Sequence, residues 1–75
     1  MKVRFKSKIS RGEFIAIRPA NKVIAEFLGM NWWPSENRLN DGTIEIVDPN
    51  KNCIEVEGFY IMIFMSERKF FEIVV

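Results

Sequence analysis

The chain has no histidine, one cysteine (Cys53), three prolines and four glycines in 75 residues. Without histidine the commonest general base is missing, and with it the Ser-His-Asp and Cys-His arrangements. One cysteine forms no internal disulfide and, with no histidine to join it, no Cys/His zinc site. The glycines (Gly12, Gly29, Gly42, Gly58) are scattered, so the Gly-rich pattern that cradles phosphate does not occur. The longest apolar run, Phe59–Met65, is far below the ~20 residues that cross a bilayer. Met1–Lys8 alternates charged with apolar residues, unlike a signal peptide. Asp48-Pro49-Asn50-Lys51-Asn52 has the D-x-N-x-N opening of a calcium loop. Cys53 and Phe59, however, stand where the turn glycine and the bidentate glutamate are needed. The expectation is a cytoplasmic protein that is not an enzyme, with no catalytic residue, metal, cofactor or membrane contact.

What the chain has is apolar bulk and sorted charge. Nearly half its residues are apolar, with seven Phe, two Trp and one Tyr. A single domain of this size buries only about 60–65% of its unfolded surface and needs such a core. Residues 1–38 carry eight Lys/Arg against three Glu, net +5; residues 39–75 carry three Lys/Arg against seven Asp/Glu, net −4.

Cys53–Met65 (CIEVEGFYIMIFM) dominates the pattern. Ile54 and Val56 alternate with Glu55 and Glu57, and after Gly58 the run is apolar on both sides. Alternation marks a half-exposed strand and a continuous apolar run a covered one. The expectation is one long central strand bent at Gly58, its second half fully buried. Met1–Ile9 also alternates, with Val3, Phe5 and Ile9 opposite Lys2, Arg4, Lys6 and Lys8. Ser10-Arg11-Gly12 is a turn signal, and Glu13–Arg18 follows as a second strand with Ile15 and Ile17 in the core. Ala20, Val23, Ile24, Phe27 and Leu28 have helical spacing, with Gly29 suited to the helix end. Asn31–Gly42 is irregular. Thr43–Asp48 is a strand, Ser66–Lys69 a connection, and Phe70–Val75 a last strand. The order β-β-α-β-β-β gives an α+β domain: about five antiparallel strands with one short helix packed on them. The alternative is a small SH3-like or OB-like barrel with a helical insertion.

Two surfaces are candidate sites. Trp32-Trp33-Pro34 lies in an extended loop where adjacent side chains point apart. One indole is expected to lid the core and the other to stay partly exposed, as contact hot spots are. With Arg38, Arg4 and Lys6 it forms a candidate surface for another protein. A phage or mobile-element inhibitor or accessory factor would suit so short a chain. The alternative is single-stranded nucleic acid held by Lys2, Arg4, Lys6, Lys8 and Arg11 beside a Trp platform. Glu45, Glu55 and Glu57 are a third, weaker cluster, better explained as pairing with the N-terminal cations. Cys53 reads as a small hydrophobe rather than a nucleophile. The apolar strands, FFEIVV among them, also permit a homodimer.

Overall fold

The computed structural model describes residues 1–38 and 40–75; Leu39 lies outside them. The elements run β1 (Lys2–Phe5), α1 (Lys8–Ile15), α2 (Ala20–Leu28), β2 (Trp33–Glu36), β3 (Ile44–Ile46), β4 (Glu55–Val56), β5 (Phe59–Tyr60), β6 (Met62–Ile63), a 3₁₀ helix (Met65–Phe70) and β7 (Phe71–Val74). Five strands form one antiparallel sheet in the order β6-β3-β2-β1-β7, and β4-β5 is a separate hairpin. The α+β class and the five-stranded antiparallel sheet are therefore as the sequence implies. The outer strands β6 and β7 do not pair with each other, so the sheet stays open and the barrel alternative falls.

The N-terminal half departs from the expected hairpin. Strand β1 stops at Phe5, because Ser7 caps a helix: its Oγ accepts the Ser10 N–H at 3.0 Å. That bond satisfies one of the free donors of the first turn. Gly12, expected in a turn, lies inside α1. The expected second strand, Glu13–Arg18, is the end of this helix and the turn after it. Period-two spacing of Ile9, Ile15 and Ile17 pointed to strands, yet Ile9 and Ile17 are exposed and Ile15 only partly buried. Phe14 decides the matter. It is wholly buried, with its ring centroid 5.3 Å from those of Phe5 and Phe71 and 6.3 Å from that of Phe70. A helix lays Phe14 on the sheet; the strand reading pointed it away.

Helix α2 keeps its expected span. Ile24, Ala25 and Leu28 are buried, Lys22 and Glu26 exposed, and Gly29 ends it at φ +58°, a left-handed value that glycine tolerates. Its first turn holds an interaction that hydropathy does not reveal. Glu67, only 2% exposed, accepts from Asn21 Nδ2 (2.7 Å), the Phe64 N–H (2.9 Å) and the Arg18 guanidinium (3.3 and 3.4 Å). Asn21 Nδ2 also donates to the Phe14 carbonyl at 2.8 Å. The Arg18 guanidinium stacks on Phe64, 4.4 Å from its centroid. Burial works to raise the Glu67 pKa, but the Asn21, Phe64 and Arg18 donors outweigh it and hold the carboxyl below the usual range.

The Cys53–Met65 stretch is not one strand. Glu57 and Gly58, both at positive φ (50° and 86°), make a two-residue turn between β4 and β5. Two left-handed residues in succession define the tight hairpin turn whose twist matches its strands, and Gly58 takes that conformation without strain. Cys53 meets Val47 in an isolated bridge. After the hairpin, Ile61 and Ile63 turn inward, while Tyr60, Phe64 and Met65 are exposed. The apolar run reflects several short segments turning in sequence, not a strand covered on both faces. The expected connection Ser66–Lys69 is instead the body of the 3₁₀ helix.

Two outcomes check this description. Phe14→Ala should cost about 3–5 kcal/mol in urea denaturation, while Ile17→Ala, at a position 56% exposed, should stay within about 0.5 kcal/mol. A depressed folded-state pKa stabilises above the unfolded value of about 4.3 and is lost as pH falls through the folded pKa. Glu67→Gln should therefore cost roughly 1.5–3 kcal/mol at neutral pH and flatten the acid limb of the stability–pH curve. The acid limb left by exposed Asp41, whose pKa the Thr43 backbone N–H lowers, should persist.

Candidate functional site: the outer face of the sheet

The helices and the 3₁₀ turn cover one face of the sheet, with Val3, Phe5, Ile44, Ile46, Ile63 and Phe71 beneath them. Residues one step along each strand point to the other face. The β1–β2 register sets Lys2 against Pro34 and Val3 against Trp33, and its next step brings Arg4 to Trp32. The β1–β7 register sets Arg4 against Glu72 and Lys2 against Val74. Two rows result on the outer face: Glu72–Arg4–Trp32, and beside it Val74–Lys2–Pro34.

The first row is built as a unit. Arg4 Nε lies 2.9 Å from Glu72 Oε2, and its guanidinium stacks on Trp32, 4.4 Å from the ring centroid. Such a stack contributes roughly 0.5–1 kcal/mol at an exposed site and fixes the indole plane. Trp32 remains 38% exposed. Trp33 turns to the other face, where its Nε1–H donates to the Leu28 carbonyl at 2.8 Å and its ring lies 4.8 Å from that of Phe27. One indole thus closes the end of α2 while its neighbour stands on the surface, the division expected of an extended pair.

Beside the second row a groove of ≈ 290 Å³ runs between Lys2, Pro34 and Glu36 on one side and Val47, Pro49 and Lys51 on the other. Lys51 Nζ is 4.0 Å from Glu36 Oε1, and Arg38 Nη2 donates to the Lys51 carbonyl. Arg38 therefore braces the far rim of the groove and does not join Arg4 and Trp32. Lys6 is exposed beyond the end of β1, its backbone N–H bonded to the Phe70 carbonyl.

The five cations expected to track a phosphate backbone are dispersed. Lys2 and Arg4 share the outer face, Lys6 follows the strand, and Lys8 opens α1. Arg11 donates to the Ala25 carbonyl through Nη2 (3.1 Å) and Nε (3.4 Å), bracing α2. The capped helix breaks the four-cation stripe, since a continuous strand was needed to align it. The expected pairing of Glu55 and Glu57 with those cations does not form; Glu72, remote in sequence, is the partner of Arg4.

The carboxylate cluster does not assemble either. Glu45 is buried and accepts from Cys53 Sγ, whereas Glu55 and Glu57 are exposed. Among the described residues no three acidic or cysteine side chains gather as a metal site would require. The Glu45 hydrogen bond, burial and Glu45 charge push the Cys53 thiol up, against a smaller opposing pull from Arg38. A thiol so held is a poor nucleophile. Asp48 accepts from the Asn50 and Asn52 N–H groups (2.8 and 3.0 Å), so its carboxylate organises its own turn. Among the described residues no helix is long and apolar enough to cross a membrane. No family model, no curated protein and no solved structure matches this chain.

Glu72 is the site residue that the sequence did not point to. It was visible only as the single charge in an apolar strand, and its role needed the β1–β7 register.

Proposed function

We propose that the protein is a small non-enzymatic protein-binding module, of the inhibitor or accessory-factor kind, that docks through the outer face of its sheet. The observation that carries this reading is the Glu72–Arg4–Trp32 row. A large aromatic side chain is left on the surface and held in one orientation by a cation that is itself held by a carboxylate. Contact hot spots are enriched in Trp and Arg of this kind, and an indole ordered before binding lowers the entropic cost of association. The adjoining groove, at ≈ 290 Å³, lies at the small end of ligand pockets. It suits one side chain of a partner better than a separate small molecule. Lys2 and Lys51 on its walls, with Glu36 and Asp48 beside them, supply the mixed polar rim that protein interfaces have. Of the five residues of this surface, Trp32 and Arg4 form the centre, Arg38 supports the rim, Lys6 lies at the margin, and Trp33 anchors the strand to the end of α2.

Binding to single-stranded nucleic acid keeps less support. Arg4 is already neutralised by Glu72 and Arg11 is engaged with α2, which leaves Lys2, Lys6 and Lys8 on different elements.

Affinity capture with immobilised protein, followed by titration of the captured partner, tests the proposal. Trp32→Ala and Arg4→Glu should each weaken binding by about 2 kcal/mol or more, roughly thirtyfold. Lys8→Glu should change it little. Capture that survives both central substitutions removes this surface from consideration. Tight, steeply salt-dependent binding of an oligonucleotide would transfer the function to the alternative.

A further inference from the structure

Strand β7 forms one end of the sheet, pairing with β1 on one side only. We infer that its open side is a self-association edge, and that the occupant is β7 of a second copy of this chain, antiparallel about a twofold axis at Ile73.

The ladder shows which backbone groups are free for this. Lys6 N–H donates to the Phe70 carbonyl at 3.0 Å, and bonded pairs alternate along an antiparallel ladder. Arg4–Glu72 and Lys2–Val74 are therefore the bonded pairs within the protomer. The N–H and C=O groups of Ile73, and of Val75 beyond it, point to the open edge, as does the Phe71 C=O; the Phe71 N–H is already donated to the Arg68 carbonyl.

Side chains exclude one neighbouring register. With the twofold at Ile73, the bonded pairs are Phe71 with Val75 of the second copy, Ile73 with Ile73, and Val75 with Phe71. The Ile73 pair exchanges both hydrogen bonds, and each Phe71–Val75 pair forms one, from the Val75 N–H to the Phe71 carbonyl. On the helix-covered face the apolar row Trp33–Val3–Ile73 continues into Ile73–Val3–Trp33 of the second copy. On the outer face Glu72 meets Val74. Moving the axis by one residue, to Glu72, would set two carboxylates directly opposite each other, which is destabilising.

The usual defences of an edge are lacking here. Phe71–Val74 contains no proline, lysine or glycine. Its one charge, Glu72, is paired with Arg4 at 2.9 Å, and in the Ile73 register it faces Val74 of the second copy instead of another carboxylate. Val74 and Val75 stand exposed beside it. An edge of this length buries little area, so the dimer is of the weak, concentration-dependent class. It joins two sheets with their outer faces on the same side, and so presents two Trp32 surfaces together.

Sedimentation equilibrium of the full chain across micromolar to millimolar concentrations tests the inference. A monomer–dimer equilibrium is expected. Val75→Pro removes an outward N–H at a position fully exposed in the protomer. It should raise the dimer dissociation constant about tenfold or more with unchanged circular dichroism and thermal melting. Ile73→Pro, which also removes an edge-facing N–H, should abolish the dimer. Trp32→Ala should leave self-association intact, which separates this edge from the proposed docking face. A chain that stays monomeric throughout, a dimer indifferent to Val75→Pro, or one lost with Trp32→Ala would each overturn the inference.

Discussion

The buried Glu67 carboxylate is the contact on which the rest of this fold depends. It gathers a guanidinium from the turn between the helices, an amide from the first turn of α2 and the backbone N–H that opens the 3₁₀ helix. Removing a carboxylate from water is unfavourable by several kcal/mol unless such donors surround it. The requirement to supply them all at once sets where α1 ends, how α2 begins and where the chain turns before β7. From that turn β7 enters beside β1, and the β1–β7 register then places Glu72 opposite Arg4. The surface row at Trp32 is thus a distant consequence of a buried polar knot on the other side of the sheet.

The two faces of the sheet use aromatic residues in opposite ways. Beneath the helices, Phe5, Phe14, Phe70 and Phe71 form an edge-to-face and stacked cluster whose worth is mainly apolar area removed from water. On the outer face the sheet carries one registered pair of opposite charges, Arg4 and Glu72, and beside it stands Trp32. Its exposure would be unremarkable alone. Fixation by Arg4 makes it a specific feature, because a cation bound to both a ring and a carboxylate restricts all three groups. The opposed charges of the two chain halves meet there. Two ion pairs, Arg4–Glu72 on the outer face and Arg18–Glu67 beneath the helices, join the basic half of the chain to the acidic half.

How much of this could be read from the residues depends on the range of the interaction. Helix α2 was legible because its stripe, its flanking Pro19 and its terminal Gly29 are all local signals that agree. The split roles of Trp32 and Trp33 followed from extended backbone geometry alone. Helix α1 was not legible: Ile9, Ile15 and Ile17 imitate a strand, and only the tertiary demand for Phe14 beside Phe5 and Phe71 overrides that period. Cys53–Met65 misled for a related reason. A Glu-Gly pair at a tight turn leaves no break in hydropathy, so three short segments resemble one long strand. Glu67 with Arg18, and Glu72 with Arg4, are separated by 49 and 68 positions. No local pattern announces such pairs.

The central claim is that the chain divides its adjacent tryptophans, one locked to the end of α2 and one presented on the outer face. Hydrogen exchange at the two indole N–H groups, followed by NMR and assigned with Trp32→Phe, measures that division directly. The account predicts one protected indole, Trp33 bonded to the Leu28 carbonyl, and one that exchanges rapidly, Trp32. Two protected indoles, or two that exchange equally fast, would contradict it.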